Sequence, residues 1–320
     1  MRLILKLLAF FILNTGTLFT AAAAQDTYTD ATGVEIAVGL DAQRIVSLAP
    51  NVTEMVCYLG FRDRLAGRTD YCDFPQDIES VPTIGGFVDT SLEAIVACDP
   101  DLVVAYRGNS LELIGQLREL GITVLALDDA ASLEEIATQL DVLAAVAGSV
   151  QADAKPGGAP YREQLAKATL GISEAHTPFT VFYGYPEEMM YSCAPGTFIG
   201  DLIKRVGGKN VINDDGMAWP QVSAEFLFAA NPEVILTGTS CVADEDPIAV
   251  RERMLVVLRA NPVWSRLAAI KQGRLIVIDA DILHRPGPRI IDALIQFRQQ
   301  LLEVAPELLQ QSPAPGEGGA

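Results

Sequence analysis

Histidine and positive charge are both scarce in this 320-residue chain, and each shortage limits what the protein can do. The only histidines are His176 and His284, so a multi-histidine metal centre is excluded. Any imidazole acid–base chemistry depends on one of these two. Lys and Arg total 23 against 41 Asp and Glu, which gives a formal net charge of −18. Since nucleic acids and anionic lipids attract basic surfaces, we expect no nucleic-acid partner and no polybasic membrane contact.

The common enzyme motifs are also missing. The sequence contains no G-x-S-x-G, no H-E-x-x-H and no phosphate-binding G-x-x-x-x-G-K-[ST]. We therefore predict a protein that is not an enzyme and that has no catalytic residues, no resident cofactor and no resident metal. The alternative is a secreted enzyme that processes a metal chelate, which would need Glu187, Glu188 or His284 as acid–base groups.

Long apolar runs are absent except at the N-terminus. Residues 1–24 read MRLILKLLAFFILNTGTLFTAAAA, with Arg2 and Lys6 first, an interrupted apolar stretch next and small residues last. This order is typical of a secretory signal peptide, and the apolar stretch is shorter than the roughly 20 residues that a membrane span needs. The sequence predicts cleavage near Ala24 and a mature protein that is soluble outside the cytoplasm.

Five cysteines in an oxidising compartment predict at least one disulfide, and their odd number leaves at least one thiol free. Cys193 and Cys241 both follow apparent strands, so we pair them first. Cys72 with Cys98 is the weaker alternative. The helical apolar pattern around Cys57 indicates a buried, inert thiol. A thiolate metal site lacks support because no C-x-x-C spacing occurs.

Apolar, β-branched runs of strand length alternate with helical patterns along the chain. The runs lie at 44–48, 102–105, 122–127, 179–183, 234–237 and 275–278, and helical patterns such as 110–120 and 288–304 follow them. This alternation occurs twice, and the segments 132–147 and 161–175 between the two sets have helical periodicity. The sequence thus predicts two Rossmann-like α/β lobes with mainly parallel sheets, joined by a helical connector, with a ligand cleft between the lobes.

These patterns divide the chain into five parts. They are a signal peptide at 1–24, an N-terminal lobe at 25–130, the helical connector at 131–176, a C-terminal lobe at 177–308 and a disordered tail at 309–320. The connector contains KPGGAP at 155–160, where proline removes a backbone donor and clashes with the preceding turn. We expect the helix to break there.

Aromatic and polar residues collect near the ends of the predicted strands. In open parallel sheets, ligands bind beyond the carboxyl ends of the strands, so these residues from both lobes are expected to face one cleft. A cleft of this kind suits a large, flat, partly apolar ligand. Ordinary packing remains the alternative for each aromatic residue taken alone, and a surface ion pair for the last two residues of the set. The set comprises Tyr71, Tyr106, Tyr191, Trp219, Asp281 and Arg285.

Several segments of the chain resemble periplasmic cobalamin-binding proteins of vitamin importers. These proteins are a branch of the metal-chelate substrate-binding proteins, which also include siderophore and haem binders. RIVSLAPNVTE at 44–54 and LEAIVACDPDLVV at 92–104 resemble the whole cluster. AYRGN at 105–109, WPQVS at 219–223 and RPGPR at 285–289 resemble the cobalamin branch. Tyr106 stands where that branch usually has a tryptophan, which shrinks one wall of the cleft.

The resemblance implies roles for individual side chains. It implies that the six residues listed above contact a corrinoid, with aromatic faces on the macrocycle and Asp281 and Arg285 at its peripheral amides. His284 is either a cobalt ligand or an ordinary loop residue. A ferric siderophore or haem is the alternative ligand, and haem would take an axial ligand from Tyr71, Tyr106, Tyr191, Met189 or Met190.

The resemblance also implies a monomeric protein in the periplasm whose partners are the permease and ATPase of an ABC importer in the inner membrane. In the resembled proteins each lobe presents a glutamate to arginines of the permease. Glu112 matches the position in the first lobe. We choose Glu245, within the acidic run 244–246, for the second lobe. Two acidic points on separate lobes would mainly fix orientation and association rate.

Overall fold

The structure is a computed structural model that describes residues 26–148, 157–171, 178–185, 190–213, 216–240 and 245–310. The predicted signal peptide lies outside the described residues, as do His176, Glu187, Glu188 and Cys241. In the part of the chain that is described, no helix is long and apolar enough to cross a membrane. The predicted start of the disordered tail at residue 309 is too early, because residues 309 and 310 still belong to a helix.

The first lobe is built on a four-stranded parallel sheet in the order β4-β3-β5-β6. The central strands are short apolar runs whose residues are all buried, since helices cover both faces of the sheet. The strands are β1 Thr27–Thr29, β2 Glu35–Ala37, β3 Ile45–Ser47, β4 Leu65–Gly67, β5 Leu102–Tyr106 and β6 Val124–Leu127, of which β1 and β2 form a separate antiparallel pair. The helices are α1 Pro50–Tyr58, α2 Leu92–Ala97 and α3 Leu111–Glu119.

Two helices, α4 Leu133–Ala147 and α5 Ala159–Thr169, follow the first lobe. The helix is interrupted between them, in the region where KPGGAP predicts a break, and α5 packs back against α4. The Gly158 N–H donates to Asp141 Oδ1 at 2.7 Å, and Arg162 pairs with both Asp141 and Glu134 of α4. The connector is therefore a pair of packed helices rather than one straight rod.

Helix α4 is attached to both lobes. At its C-terminal end, the carbonyl groups of residues 145–147 accept hydrogen bonds from the N–H groups of Gly39, Leu40 and Ala42. At its N-terminal end, the Leu133 N–H donates to Asp201 Oδ2 of the second lobe at 2.9 Å. Helix α4 thus links the two lobes through hydrogen bonds at both of its ends.

The second lobe repeats the design of the first, with a parallel sheet in the order β12-β11-β7-β9. Its strands are β7 Phe179–Tyr183, β8 Met190–Tyr191, β9 Gly208–Asn210, β10 Gln221–Val222, β11 Val234–Thr239 and β12 Leu275–Asp279, of which β8 and β10 form an antiparallel pair. Its helices are α6 Phe198–Arg205, α7 Ala224–Ala230, α8 Pro247–Ala260, α9 Ala268–Gln272, α10 Ala280–Leu283, α11 Ile290–Val304 and α12 Pro306–Gln310. The predicted fold class of two parallel α/β lobes is confirmed.

The largest apolar cluster of the described residues runs through both lobes and the connector, and each lobe has a smaller cluster of its own. It includes Ile45 and Val104 of the first lobe, Leu140 of α4, and Val181 and Phe297 of the second lobe, all fully or almost fully buried. Burial of such side chains is the main favourable term in folding. The two lobes are therefore parts of one continuous packed structure.

The cysteines that the structure describes are all free thiols. The alternative pair Cys72–Cys98 is wrong, because Cys72 Sγ lies 3.1 Å from the hydroxyl groups of Thr53 and Thr69 and not against another sulfur. Cys193 is also free, but its predicted partner Cys241 lies outside the described residues. Cys57 is half-buried rather than fully buried as predicted, and burial raises its pKa to about 11, as expected for an inert thiol.

Candidate ligand-binding cleft

A cavity of about 360 Å³ lies between the two lobes. Many of its residues stand at or just after the carboxyl ends of parallel strands. The carboxyl ends of the strands of both lobes therefore face this cavity. The first lobe contributes Pro50, Asn51, Phe87, Tyr106, Arg107 and Asp129, and the second lobe contributes Tyr183, Phe198, Ile199, Trp219, His284, Arg285 and Pro286.

Aromatic rings form the wall of the cavity in the second lobe. Trp219 meets Phe198 and Tyr183 edge to face, with ring centroids 6.0 Å and 6.5 Å away. The antiparallel pair β8–β10 supports this loop, since the Ser192 N–H donates to the carbonyl group of Pro220. Trp219 remains 38% exposed, so its ring is fixed by its neighbours but accessible to a ligand.

Tyr106 forms part of the opposite wall and is almost fully buried. Its hydroxyl oxygen accepts a hydrogen bond from the Ala130 N–H at 3.3 Å. Burial raises the pKa of Tyr106, and the neighbouring Asp129 raises it further. Asn109 holds the loop in place: its Oδ1 accepts from the Tyr106 N–H at 2.8 Å, and its Nδ2 donates to the carbonyl groups of Leu48 and Phe87. These contacts give the AYRGN segment a structural role.

Both guanidinium groups that line the cavity are already paired with carboxylates. Arg107 lies 2.8 Å from Asp128 Oδ1 and 3.6 Å from Asp129 Oδ2. Arg285 binds Asp73 and lies 2.7 Å from Asp281 Oδ1. The expected pairing of Asp281 with Arg285 is therefore present, but it is part of a larger cluster. An anionic ligand would have to compete with these acids for either arginine.

The Arg285 cluster joins the two lobes. Glu54 of α1 has only 2% of its side chain exposed, and it accepts two hydrogen bonds from Arg289 of the second lobe, at 2.6 and 3.0 Å. Arg285 reaches the same carboxylate at 3.4 Å, and the guanidinium group of Arg289 lies 4.1 Å from the centre of the Phe74 ring. Burial raises the pKa of Glu54 despite both arginines. This network crosses the floor of the cleft.

His284 and Tyr185 form a second polar pair beside the aromatic wall. The Tyr185 hydroxyl group lies 2.8 Å from Nε2 of His284. Burial lowers the pKa of His284 to about 4, so its imidazole is neutral at pH 7. Gly238 makes room for the ring, because a Cβ atom there would lie within 2.5 Å of it. Among the described residues, no group of three or more His, Cys, Asp or Glu side chains could hold a metal ion.

The structure brings only part of the predicted site set to the cavity. Tyr106, Trp219 and Arg285 line it, and Asp281 stands behind Arg285. Tyr71 and Tyr191 are 62% and 46% exposed and do not belong to the cavity lining. Sequence reasoning missed Asn51, Phe87, Arg107, Asp129 and Phe198. Arg107 and Asp129 could have been found, because each follows a predicted strand.

The predicted docking acids differ in their surroundings. Glu112 is exposed in the first turn of α3, where Ser110 caps the helix by accepting from the Leu113 N–H. Glu245 instead pairs with Arg253. The strand orders of the two sheets match α3, between β5 and β6, with α8, between β11 and β12, and match α2 with α7. The second-lobe counterpart of Glu112 therefore lies at the start of α8, beside Glu245, whereas Glu225 in α7 corresponds to Glu93 in α2, each two residues after a capping serine.

Residues 45–282 match the family described as periplasmic binding protein. The chain is 27% identical over 256 residues to the vitamin B12-binding protein of Vibrio cholerae serotype O1, covering 80% of this chain and 87% of that protein. It is also 27% identical over 282 residues to the uncharacterized ABC transporter substrate-binding lipoprotein YvrC of Bacillus subtilis, covering 86% of this chain and 85% of that protein.

Solved structures show the same architecture. The periplasmic vitamin B12 binding protein BtuF of Vibrio cholerae superposes with a TM-score of 0.68 and 27% identity, covering 85% of this chain and 99% of the other. The periplasmic heme-binding protein RhuT from Roseiflexus sp. RS-1 superposes with a TM-score of 0.64 and 24% identity, covering 81% and 98%. At that lower identity the similarity concerns the fold alone.

Proposed function

Because this chain belongs to the periplasmic binding protein family, we propose that it is the substrate-binding component of an ABC importer and that it captures cobalamin or a related corrinoid. The named relatives support the transport role. The protein would act outside the cytoplasm, bind its ligand without chemical change, and pass it to a permease and ATPase.

The observation that carries the choice of ligand is the combination of an aromatic wall with arginines that already have carboxylate partners. Trp219, Tyr183 and Phe198 offer flat apolar surface to a macrocycle. The propionate groups of haem need free cations, whereas Arg107 and Arg285 each have at least two acidic neighbours. The peripheral amides of a corrinoid carry no charge and can hydrogen-bond to both members of such pairs.

The ligand cannot be held by the cavity in its present size alone. A volume of about 360 Å³ is at the small end of the roughly 300–1,000 Å³ typical of small-molecule pockets, and a corrinoid is larger than most ligands of such pockets. The lobes would have to separate slightly on binding. The contacts of Arg285 with Asp73 and of Arg289 with Glu54 cross the lobes, so such a movement would lengthen them.

Haem or a ferric siderophore is the second candidate ligand. It is favoured by the pair of His284 and Tyr185, since a neutral imidazole or a tyrosine oxygen can bind iron. The same imidazole could approach the cobalt of a corrinoid.

For docking to the permease we propose Glu112 in the first lobe and Glu245 in the second. The argument is their position at the starts of α3 and α8, which correspond in the strand orders of the two sheets. Arg253 pairs with Glu245 and would be displaced by an arginine of the permease. Glu93 and Glu225, at the starts of the corresponding helices α2 and α7, are the alternative pair. Two such acids, one on each lobe, would orient the protein on arginines of the permease.

The test of the ligand is calorimetric titration of the mature protein with cyanocobalamin, with haemin and a ferric hydroxamate as parallel ligands. We expect one-to-one saturation by cyanocobalamin at submicromolar affinity, weak binding of the other two, and an absorption spectrum that stays constant after binding. Saturation by an iron chelate but not by cyanocobalamin would overturn the corrinoid assignment, while the proposed transport role would stand. A spectrum that changes with time would indicate turnover and therefore an enzyme.

A further inference from the structure

Asn51 is a buried polar residue in the cleft whose hydrogen-bonding capacity is not used. It is the second residue of α1, it lines the cavity, and only 4% of it is exposed. Its Nδ2 has no hydrogen-bond partner among the described residues. Of the residues that line the cavity, it alone has such an unpaired buried side-chain atom within the described part of the chain. A donor left unpaired in this way costs about 1–3 kcal/mol.

The backbone at the start of α1 adds two donors to the Asn51 amide. Pro50 and Asn51, the first two residues of this nine-residue helix, both line the cavity, and the N-cap Ala49 supplies no side-chain acceptor. Pro50 has no N–H group, and the Thr53 N–H donates to the carbonyl group of Ala49. The N–H groups of Asn51 and Val52 therefore remain without a partner within the helix, at the end that carries the positive part of the helix dipole.

The facing lobe does not supply the missing acceptor. The loop at Gly287 approaches this point so closely that a Cβ atom on it would lie 3.6 Å from Asn51. The nearby carboxylate of Glu54 is engaged by Arg289 and Arg285. An acceptor for the Asn51 amide would thus have to come from a bound molecule.

We propose that Asn51, together with the start of α1, forms a subsite that donates hydrogen bonds to an oxygen atom of the ligand. This inference rests on the proposed corrinoid function and identifies the chemistry of one contact. In a corrinoid the oxygen is either the carbonyl group of a peripheral amide or an oxygen of the phosphodiester in the nucleotide loop. Neutral donors at this wall complement the paired arginines, because they can donate hydrogen bonds to a ligand oxygen without requiring a free cation.

The test compares the wild-type protein with Asn51→Ala and Asn51→Asp, and uses Asn213→Ala as a control on an exposed asparagine outside this cavity. We expect both Asn51 variants to bind cyanocobalamin about tenfold more weakly, which is about 1.4 kcal/mol. The Asn51→Ala variant without ligand should unfold at the same temperature as wild type or a higher one, since it loses an unpaired buried donor. The control should match wild type in both measurements.

Two results would overturn the subsite. One is wild-type affinity in both Asn51 variants. The other is a fall of several degrees in the unfolding temperature of ligand-free Asn51→Ala, which would make the residue a structural one. If wild-type protein itself fails to bind any corrinoid, the proposed function falls instead, so the two failures are distinguishable.

Dicyanocobinamide, which lacks the nucleotide loop, separates the two sources of the oxygen. An equal loss of affinity for cobinamide and for cyanocobalamin in Asn51→Ala assigns the contact to a peripheral amide. A loss confined to cyanocobalamin assigns it to the phosphodiester. Both outcomes support a donor subsite at Asn51.

Discussion

Glu54 of the first lobe and Arg289 of the second lobe form a bidentate ion pair beneath the ligand cleft, with nitrogen–oxygen distances of 2.6 and 3.0 Å. Only 2% of the Glu54 side chain is exposed, so its charge depends on Arg289 and Arg285 for compensation. Removing one partner of a buried pair usually costs more than the pair itself contributes, because the other charge is left uncompensated.

Replacing Glu54 with Gln should therefore destabilise the protein strongly. We expect the free energy of unfolding to fall by about 3 kcal/mol, because Arg289 and Arg285 lose the carboxylate between them. Urea denaturation measures this change. Asp41→Asn is the matched control, since Asp41 is largely exposed and lies 3.8 Å from Arg64. For this variant we expect the free energy of unfolding to fall by less than about 1 kcal/mol. Similar losses in both variants would contradict a special role for the buried pair.

His284 should make the stability of the protein dependent on pH. Its pKa is about 4 in the folded protein because of burial, against 6.5 for the free side chain. Between these values the unfolded chain binds more protons than the folded one, so stability is complete above pH 6.5 and falls as the pH drops towards 4. The contribution is at most about 3 kcal/mol, at roughly 1.4 kcal/mol per pKa unit.

The measurement is urea denaturation of wild type and His284→Gln at several pH values from 4 to 8. The difference in unfolding free energy between the two proteins isolates His284 from the other titrating groups. We expect this difference to change across the acid range and to become constant above pH 7. A difference that does not vary with pH would mean that the imidazole is not buried as a neutral group.

Trp219→Ala should weaken binding of cyanocobalamin by about 30-fold or more, since truncating a central aromatic contact commonly costs about 2 kcal/mol or more. The reason is the loss of the largest aromatic surface of the cavity wall. Phe226→Ala is the control, because Phe226 is similarly exposed at 37% but does not line this cavity. Calorimetric titration of both variants checks the expectation, and equal affinities would remove Trp219 from the site.

Glu112→Ala and Glu245→Ala should impair uptake without changing ligand affinity. Glu112 is exposed, the Glu245 side chain is 28% exposed, and neither lines the cleft. Uptake of labelled cyanocobalamin is measured in cells whose own copy of the protein is replaced by each variant. Glu93→Ala and Glu225→Ala serve as the comparison, and uptake with these variants should remain normal. Impaired uptake with the comparison pair alone would move the docking positions to Glu93 and Glu225.

The sequence predicts the sheets well because their strands are short continuous apolar runs. All six predicted strands are present, among them Val124–Leu127 and Leu275–Asp279. The strands that the pattern does not reveal are two or three residues long, such as Gly208–Asn210 and Gln221–Val222, and contain glycine or polar residues. Their pairing depends on neighbouring strands and loops rather than on their own composition.

The site is less predictable than the sheets. A strand end indicates which residues can reach the cleft, and it correctly directs attention to Tyr106, Trp219 and Arg285. It does not reveal the side-chain partners that decide what each residue can do. The sequence predicts Arg285 as a ligand contact because of its charge. In the structure, Asp73 and Glu54, which are distant in sequence, already compensate that charge. The proposed role of Asn51 likewise depends on the absence of an acceptor for its amide among the described residues, which only the three-dimensional structure reveals.

The shared apolar cluster has a consequence for how the protein unfolds. Side chains of both lobes and of helices α4 and α5 belong to this cluster, although each lobe also has a smaller cluster of its own. Loss of packing in one lobe therefore exposes apolar surface of the other, and calorimetry should show transitions that overlap rather than two well-separated melting events. A ligand bound at the cleft would raise the melting temperature of the entire chain, although its contacts are confined to one edge of the sheets.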